Sequence, residues 1–409
     1  MNEAAIAERV ARESYGRLLA LLAARTRDVA AAEDALADAF AAALNVWPKT
    51  GAPQKPEAWL FAAAKRKLID ASRRARTAAD AQAALMLAME EVEEEVARAE
   101  TPDRRLGLLF ACAHAEIEPA ARTPLMLQTV LGFSAERIAA AFLVAPASMG
   151  QRLVRAKRRI AEARIPFDVP DAAEWPTRLD AVLDAIYAAY AEGWSDAQGA
   201  DPARAALAEE GVWLARVLAQ QTPDEPEALG LLALMLHLEA RRAARTGDGR
   251  LVPLDEQDVA LWRTDVQDEA EIILRRAARA GRIGRFQIEA AIQSAHAARR
   301  LRGEDNWAAI VRLYEVLTEL TGSPVAALNR VAALARRDDA AAGLAALDLL
   351  DAPALKSYQP YWALRADLLA KLHRAEEARA AYDEAIARER DAAVIAFLSA
   401  RRASLIGSV

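Results

Sequence analysis

Residues 134–164 read as a helix, a tight turn and a second helix rich in arginine. Ser134 is suited to cap the first helix, and Pro146 suits the first turn of the second, where its missing N–H would be unpaired anyway. The apolar side chains expected to face inward are Ile138, Ala141 and Phe142 on the first helix and Leu153, Ala156 and Ile160 on the second. The opposite face of the second helix carries Ser148, Arg152, Arg155 and Arg159. An exposed basic second helix is typical of a helix-turn-helix that enters a DNA major groove, and the alternative is a solvated basic face on an ordinary helical hairpin.

The composition predicts an almost entirely helical protein. The chain has 409 residues, enough for two or three domains, and it is 54% hydrophobic but only 6% aromatic. Its apolar residues show no regular alternation of the kind that half-buried strands require. The formal net charge is −6, so the chain as a whole is not a polycation. Any attraction to nucleic acid therefore depends on local basic clusters.

Cysteine usage and hydropathy bear on the cellular compartment. The single cysteine, Cys112, excludes an internal disulfide and fits a reducing cytoplasm. The N-terminus has no basic-then-apolar signal, and no stretch is long and uncharged enough to span a bilayer. We therefore expect a soluble cytoplasmic protein with no membrane partner.

Charge and helix-breaking residues divide the chain into four segments. Residues 1–77 form a helical unit, interrupted at 47–56 by a stretch rich in proline and glycine. Residues 78–100 form an acidic linker, and residues 101–167 carry the helix-turn-helix. Prolines then interrupt the helical pattern, and residues 168–409 form a helical extension.

The last part of the extension shows a weak internal repeat. Residues 357–387 read as two helices whose small and large side chains interlock, as in a tetratricopeptide repeat. Residues 324–348 look like a looser copy one period earlier. The pattern predicts a tetratricopeptide-like region over about 324–390, and the alternative is an irregular helical bundle.

A second pair of charged helices lies near the N-terminus. The first presents an acidic patch at helical spacing, made of Glu33, Asp34 and Asp38, with Phe40, Leu44 and Trp47 available for burial. On the second, Trp59, Leu60, Ala63 and Leu68 can pack inward while the cations remain in water: Lys65, Arg66, Lys67, Arg73 and Arg74. Such a helix could follow a phosphate backbone, each neutralised phosphate adding a salt-dependent increment to binding. The alternative is a basic solubilising face.

Signatures of catalysis are weak in this sequence. Its histidines are scattered at His114, His237, His296 and His373. Cys112 and His114 form half of a metal-ligand pattern, but no second pair follows at ligand spacing, so a core position for the cysteine is favoured. We find no phosphate-cradling glycine loop and no nucleophile elbow. The sequence therefore predicts a non-enzymatic protein with no cofactor and no metal.

The segments around the two basic helices resemble a known family. SYGRLLALLAARTRD, AEDALADAF and PEAWLFAAAKRKLIDASRR are similar to domain 2 of bacterial sigma factors of the extracytoplasmic-function (ECF) type, and the segment from LLFACAHAE to LVRAKRRI is similar to their domain 4. One ECF subgroup has a tetratricopeptide-like C-terminal extension. The extension of this chain resembles blocks of that subgroup, in order, at IYAAYAEGW, LGLLALMLHLEARRAAR, LDEQDVALW, AAIQSAHA, LYEVL and LNRVAAL. The resemblance covers essentially the whole chain. It implies an all-α protein with a domain 2 helical bundle, a domain 4 helix-turn-helix and a C-terminal helical extension.

The resemblance also implies partners and site residues. Core RNA polymerase would bind the acidic patch of Glu33, Asp34 and Asp38. The promoter −10 element would meet Lys65, Arg66, Lys67, Arg73 and Arg74, with a flipped base received near the loop 48–55. The −35 element would meet Ser148, Gln151, Arg152 and Arg155 at base edges and Lys157, Arg158 and Arg159 at phosphates. The chain would then direct promoter recognition and transcription initiation.

Two further segments take their meaning from the resemblance. The glutamate-rich residues 89–100 would thread toward the polymerase's nucleic-acid channel, or form a solvated charged helix. The extension carries a signature of the subgroup at Asp255, Gln257, Asp258 and Trp262. Val259 and Arg263 depart from that signature, and its alternative reading is a capped, solvated turn. The extension would regulate the DNA-binding domains, or take a regulatory protein or peptide in its groove.

Two other functions stay open on the sequence alone. One is a repeat-protein adaptor in which the helix-turn-helix is incidental, and the other is a stand-alone DNA-binding regulator. A stand-alone regulator predicts tight duplex binding without polymerase, and an adaptor does not need the acidic patch and both basic helices together. A sigma factor instead predicts weak DNA binding until core polymerase is present. It also predicts a compact free form whose DNA-binding domains are held on the extension.

Overall fold

A computed structural model of the chain describes residues 3–75, 104–142, 144–170, 174–175, 178–195, 202–350 and 353–405. These residues are almost all helical, and the strand pair that they contain joins Thr246–Gly247 to Arg250–Leu251. The prediction of an all-α fold is confirmed. Contacts divide the chain into two compact units, Met1–Ala189 and Tyr190–Val409. The acidic linker predicted at 78–100 lies outside the described residues.

The first unit is built from two groups of helices. The first group comprises α1 (Glu3–Thr26), α2 (Val29–Thr50) and α3 (Pro56–Ala75). The second group comprises α4 (Arg105–Cys112), α5 (Pro119–Thr129), α6 (Ala135–Ala141) and α7 (Pro146–Ala163). A further helix, α8 (Leu179–Ser195), contains the sequence boundary between the two units.

Helix α2 carries the predicted acidic patch on a strongly amphipathic segment. Asp28 caps it by accepting a hydrogen bond from the Ala31 N–H at 3.0 Å. The side chains that it buries are Val29, Ala32, Ala35, Leu36, Ala39, Ala43 and Trp47. Leu44, which we expected to be buried, is 52% exposed. The reason is geometric, since Leu44 lies about 100° around the helix from the buried Ala43.

Helix α2 also ends later than the sequence predicted. It runs through Pro48 to Thr50, so the loop expected over 48–55 begins only at Gly51. Proline at this point removes a single backbone hydrogen bond close to the helix end. The Thr50 hydroxyl and the Gly51 N–H both donate to carbonyls of the last turn, at 3.2 and 2.9 Å. Gly51 has a φ of 80°, a backbone region that favours glycine, and there the helix stops.

Helices α6 and α7 form over the residues that the sequence predicted. The Ser134 hydroxyl accepts a hydrogen bond from the Arg137 N–H at 3.3 Å, and Pro146 occupies the first turn of α7. The inward face predicted for α7 is confirmed, because Leu153, Ala156 and Ile160 are buried, together with Met149. The expectation for Phe142 is wrong: its side chain is 39% exposed, since α6 ends one residue earlier and the chain turns there. The side chain of Ala141 lies outside the described residues.

The two helix groups of the first unit pack directly on each other. Helix α1 contacts α4, and α2 contacts α7. At Gly16 the backbone of α1 comes so close to the end of α5 that a Cβ would overlap the carbonyl oxygen of Val130. We call this contact of α1 and α2 with α5 and α7 the seam. Its backbone closeness shows that the two groups share one continuous core.

The second unit is organised around a helix that is buried on nearly every side. This helix is α10 (Pro226–Glu239), whose residues 228–238 are all buried, as expected for a helix that is apolar all round. The helices that pack against α10 are α9 (Pro202–Gln221), α11 (Thr264–Ala278) and α12 (Arg285–Arg302). The remaining helices are α13 (Trp307–Thr321), α14 (Pro324–Arg337), α15 (Ala340–Asp348), α16 (Gln359–Lys371), α17 (Ala375–Ala387) and α18 (Ala392–Ser404).

The region predicted to be repeat-like consists of consecutive helix pairs. Helices α16 and α17 fall where the two helices of 357–387 were predicted, and they pack against each other, as do α14 and α15. The small and large side chains that were expected to interlock do share one core: Leu368, Leu369, Ala378, Ala381, Tyr382 and Ala385. Trp362 is only partly buried against that core. The assignment to tetratricopeptide repeats stays a prediction.

Candidate functional site

The acidic patch on α2 divides into an open and a covered part. Asp34 and Asp38 are exposed on one side of the helix, and Leu44 is exposed farther around it. Asp38 also forms an exposed ion pair with Lys67 of α3, with 3.2 Å between the nitrogen and the oxygen. Such exposed pairs contribute little to stability, so both side chains remain free to exchange partners.

The cations predicted on α3 are only partly described. Arg66 and Lys67 are exposed, and Lys65 is partly exposed with interactions of its own. Arg73 and Arg74 lie on α3, but their side chains are outside the described residues. Trp59 packs edge-to-face against the buried Trp47, with 5.5 Å between the ring centroids. This contact agrees with the expectation that Trp59 serves the core rather than a stacking platform.

Helix α7 presents an open polar face. Ser148, Gln151, Arg155 and Arg158 are all exposed. Arg152 donates to the Ala120 carbonyl at 3.3 Å, and Arg159 forms an ion pair with Glu116. A Cβ at Gly150 would meet nothing within 4 Å, so the flank of the helix beside this face is unobstructed at the backbone. The cations of this face are therefore positioned to meet a partner from solvent.

Lys157 is the one predicted cation of α7 that is withdrawn from this face. The residue is buried at 8% exposure, and its ammonium forms an ion pair with the carboxylate of Glu33 on α2. The side chains of Lys157 and Glu33 are only 10% and 18% exposed. Lys157, which was predicted to bind DNA, and Glu33, which was predicted to bind polymerase, thus form an ion pair with each other across the seam.

The Glu33–Lys157 pair is electrostatically incomplete. Burial raises the pKa of Glu33, the charge of Lys157 opposes that rise, and Asp34 adds to it. The Oε1 atom of Glu33 is buried and has no hydrogen-bond partner among the described residues. A buried ion pair whose remaining lone pairs are unsatisfied offsets its desolvation cost poorly. The seam therefore closes around a pair that water, or another partner, could satisfy better.

Sequence reasoning missed other residues of the seam. Tyr15 lies on α1 beside Gly132, and burial together with the charges of Glu33 and Asp34 raises the pKa of its phenol. The partner of Gly16 could not be read from the sequence, because it is a carbonyl more than 100 residues away. A glycine within an otherwise helical, apolar stretch was the available hint of a close approach.

Cys112 lies in the core, as the sequence predicted. It is fully buried, its sulfur lies 3.6 Å from the Thr129 hydroxyl, and burial raises the pKa of its thiol to about 12. The charges of Glu33 and Lys157 also act on this thiol, so it lies close to the seam. His114 is partly exposed and accepts a hydrogen bond from the Glu116 N–H at 3.2 Å. Within the described residues, no group of three histidine, cysteine or acidic side chains could hold a metal ion.

The signature residues of the extension hold a long connection onto the helices of the second unit. Asp255 forms ion pairs with arginines of α12 and α14. Gln257 and Trp262 are buried, and Gln257 donates to a carbonyl of the connection at 3.2 Å. Asp258 is exposed and caps the next turn. The capped, solvated turn that we weighed therefore describes Asp258 but not its neighbours.

No helix in the described part of the chain combines the length and the apolar character needed to cross a membrane.

Comparisons with known proteins were made for the whole chain. Residues 10–78 match the Sigma-70 region 2 family, and residues 178–278 match a family of unknown function, DUF6596. An uncharacterized protein of Rhizobium meliloti (strain 1021) is 39% identical over 378 residues, which cover 91% of this chain and 89% of that protein. No solved structure matches the chain significantly. The helices that carry the acidic patch and the first basic helix thus fall inside the Sigma-70 region 2 match, which supports a sigma-70 type factor, and the chain belongs to one family with the Rhizobium meliloti protein over nine-tenths of its length.

Proposed function

We propose that this chain is an ECF-type sigma factor that binds core RNA polymerase and brings it to promoters with −10 and −35 elements. The Sigma-70 region 2 match over residues 10–78 supports a role in promoter recognition and transcription initiation. In the finer assignment, Asp34 and Asp38 bind the polymerase and the cations of α3 bind the −10 region. Helix α7 reads the −35 region. These partners locate the protein's action in the cytoplasm.

The observation that carries this assignment is the open face of α7. A protein with a net charge of −6 keeps Arg155 and Arg158 exposed beside Ser148 and Gln151 on one helix face. Arginine forks and short polar side chains on such a face suit base edges, and arginines farther along suit phosphates. The face belongs to the same compact unit as the region 2 helices.

The closed seam belongs to the free form of the protein in this proposal. While Glu33 and Lys157 pair with each other, neither is available to polymerase or to DNA. Binding of core polymerase to the acidic patch competes with Lys157 for Glu33, and promoter phosphates compete with Glu33 for Lys157. The incomplete satisfaction of the pair makes this exchange of partners favourable. The expected packing of these domains on the extension is not needed for this closure.

In our proposal, the C-terminal unit regulates this exchange between the closed free form and the form bound to polymerase and DNA. Its helix pairs offer grooves of the kind that take a partner peptide. The signature residues Gln257 and Trp262 act by holding the connection 246–263 in place rather than by contacting a partner.

The function is tested by run-off transcription with core RNA polymerase lacking its own sigma factor, on a library of genomic fragments. Wild-type chain is compared with Asp34→Arg/Asp38→Arg. We expect promoter-dependent transcripts that the double variant loses, because reversed charge on the exposed patch repels a basic partner surface. The matched control is Glu376→Arg/Glu377→Arg, which makes the same charge change on exposed residues of α17. Absence of any association with polymerase, or equal activity of both double variants, would refute the proposal.

A further inference from the structure

Three arginines of the second unit surround one tryptophan. Arg241, Arg242 and Arg245 follow the end of α10, and Trp194 lies near the end of α8. The three guanidinium carbons lie 5.4, 5.1 and 3.9 Å from the centroid of the indole ring. The tryptophan ring is also stacked with the buried Tyr190, with 5.9 Å between the ring centroids. The indole therefore holds three positive charges around a single site.

The local negative charge does not balance this cluster. Glu239 pairs with Arg242 through both carboxylate oxygens, at 2.5 to 3.1 Å. Arg241 instead donates to the neutral Gln293 amide at 3.3 Å, and Arg245 donates to the Trp194 carbonyl at 2.5 Å. Among the residues that the structure describes, no carboxylate comes within ion-pair distance of Arg241 or Arg245. Three guanidinium groups against one ion-paired carboxylate leave an excess of positive charge within the cluster.

The surroundings of the cluster make that excess unfavourable. Burial lowers the pKa of Arg241, and burial together with the charges of Arg241 and Arg242 lowers the pKa of Arg245 to about 10. Asp391 acts on Arg245 in the opposite direction without forming an ion pair with it, and its Oδ1 atom caps α18 by accepting from two N–H groups at 2.8 and 3.3 Å. Like charges repel strongly when water is partly excluded from between them.

A bound oxyanion would resolve this imbalance. The residues Arg241, Arg242 and Arg245 are each partly exposed, and the Arg242 side chain is 33% exposed, so the cluster borders solvent. Guanidinium forks bind phosphate and carboxylate oxygens in pairs, and such charge-assisted bonds are stronger than neutral ones. The excess of positive charge suits an anion such as phosphate, and a half-buried cluster suits a small ion better than an extended polymer. We propose that Arg241, Arg242 and Arg245 form a binding site for a small phosphate-type anion.

The test is the melting temperature of the full chain with increasing inorganic phosphate, at an ionic strength held constant with chloride. We expect a saturable rise for wild type. Arg241→Gln and Arg245→Gln should bind phosphate roughly tenfold to a hundredfold more weakly, which is the loss of about one charge-assisted bond. The matched control is Arg337→Gln, which removes an exposed arginine of α14 that is already paired with Asp338. That control should respond like wild type.

A second comparison separates binding from a structural role. In chloride alone, Arg241→Gln should melt no lower than wild type, because the substitution relieves repulsion within the cluster. If it melts lower by the same amount with and without phosphate, the cluster is structural and the proposal is overturned. An equal response to phosphate and chloride would reduce the effect to ionic strength and overturn it too. The proposal also fails if a short DNA duplex raises the melting temperature through these arginines while inorganic phosphate does not. None of these outcomes depends on polymerase, so they are independent of the proposed transcription function.

Discussion

At the residue scale, Glu33 and Lys157 are the charges on which the closed form of the first unit depends. Changing Lys157 to glutamate places two carboxylates against each other across the seam. Breaking a buried pair in this way costs about 3–5 kcal/mol. We therefore expect Lys157→Glu to open the seam and to raise the labelling rate of the buried Cys112 thiol by roughly a hundredfold or more. Labelling with a pyridyl disulfide measures this rate directly.

The control for this prediction is the charge-swapped double variant Glu33→Lys/Lys157→Glu. It restores an ion pair with the opposite polarity, so labelling should slow again toward the wild-type rate. Far-UV circular dichroism must show unchanged helix content, since general unfolding would also expose the thiol. If Lys157→Glu labels at the wild-type rate while it remains folded, the pair does not hold the seam closed.

The raised pKa of Glu33 gives a second prediction at this scale. Burial is its main cause, and the direction means that the ionised carboxylate costs the closed form free energy that pairing with Lys157 only partly offsets. Stability from such a group is fully present below its unfolded pKa, about 4.3, and is lost as pH rises through the folded value. Glu33→Gln does not titrate. Wild type should therefore lose stability relative to Glu33→Gln as pH rises from about 4 toward neutrality. Urea unfolding followed by Cys112 labelling at a series of pH values measures this difference, and a difference independent of pH would contradict the prediction.

We expect substitution by alanine to have opposite effects on stability at two glycines of the first unit. At Gly16 an added methyl group overlaps the Val130 carbonyl oxygen, so Gly16→Ala should destabilise the unit by about 1–3 kcal/mol. At Gly150 in α7 the methyl group meets nothing, and alanine should stabilise the helix by about 0.5–1 kcal/mol. Urea unfolding of the two variants checks both signs. A Gly16→Ala variant as stable as wild type would show that the helices do not meet as closely as described.

At the scale of single elements, we expect two arginines of α7 to contact different parts of the DNA. Arg155 lies nearer the N-terminal half, where base edges are reached, so Arg155→Ala should cost about 1–3 kcal/mol of binding only on promoters with an intact −35 element. Arg158 is exposed beside Glu162 and is better placed for phosphates. Arg158→Ala should weaken binding on all sequences and reduce the salt slope by about 1. Titration of polymerase holoenzyme onto intact and mutated promoters measures both effects, and identical profiles for the two variants would contradict this division.

The elements themselves were largely predictable from the sequence, because their signals are local. The Ser134 cap, the Pro146 start and the inward face of α7 all follow from residues within a few turns of one another. Leu44 and Phe142 were misplaced because apolar character alone does not decide which of two adjacent positions faces inward near a helix end. The predicted site residues could be placed on helices, yet which of them meet could not. Glu33 and Lys157 are 124 residues apart, and no local pattern encodes their pairing.

At the scale of the whole molecule, the charge distribution matters more than the net charge. An acidic chain presents local cationic faces in its first unit and an unbalanced cluster of arginines in its second. In the first unit, the charge of Lys157 is neutralised by its ion pair with Glu33 at the seam. A protein built in this way can keep its charges compensated until a partner with a complementary surface arrives.

Core polymerase should therefore open the seam of the wild-type chain. Binding to the exposed Asp34 and Asp38 brings a basic surface beside Glu33, which then has a partner other than Lys157. We expect the labelling rate of Cys112 to rise when core polymerase is added, and to stay slow for Asp34→Arg/Asp38→Arg, which cannot recruit it. Cysteines of the polymerase are blocked beforehand, and the Glu376→Arg/Glu377→Arg variant serves as the control that should respond like wild type. If polymerase binds while labelling stays slow, the seam survives in the complex, and Lys157 is then excluded from contact with promoter phosphates because it remains buried against α2.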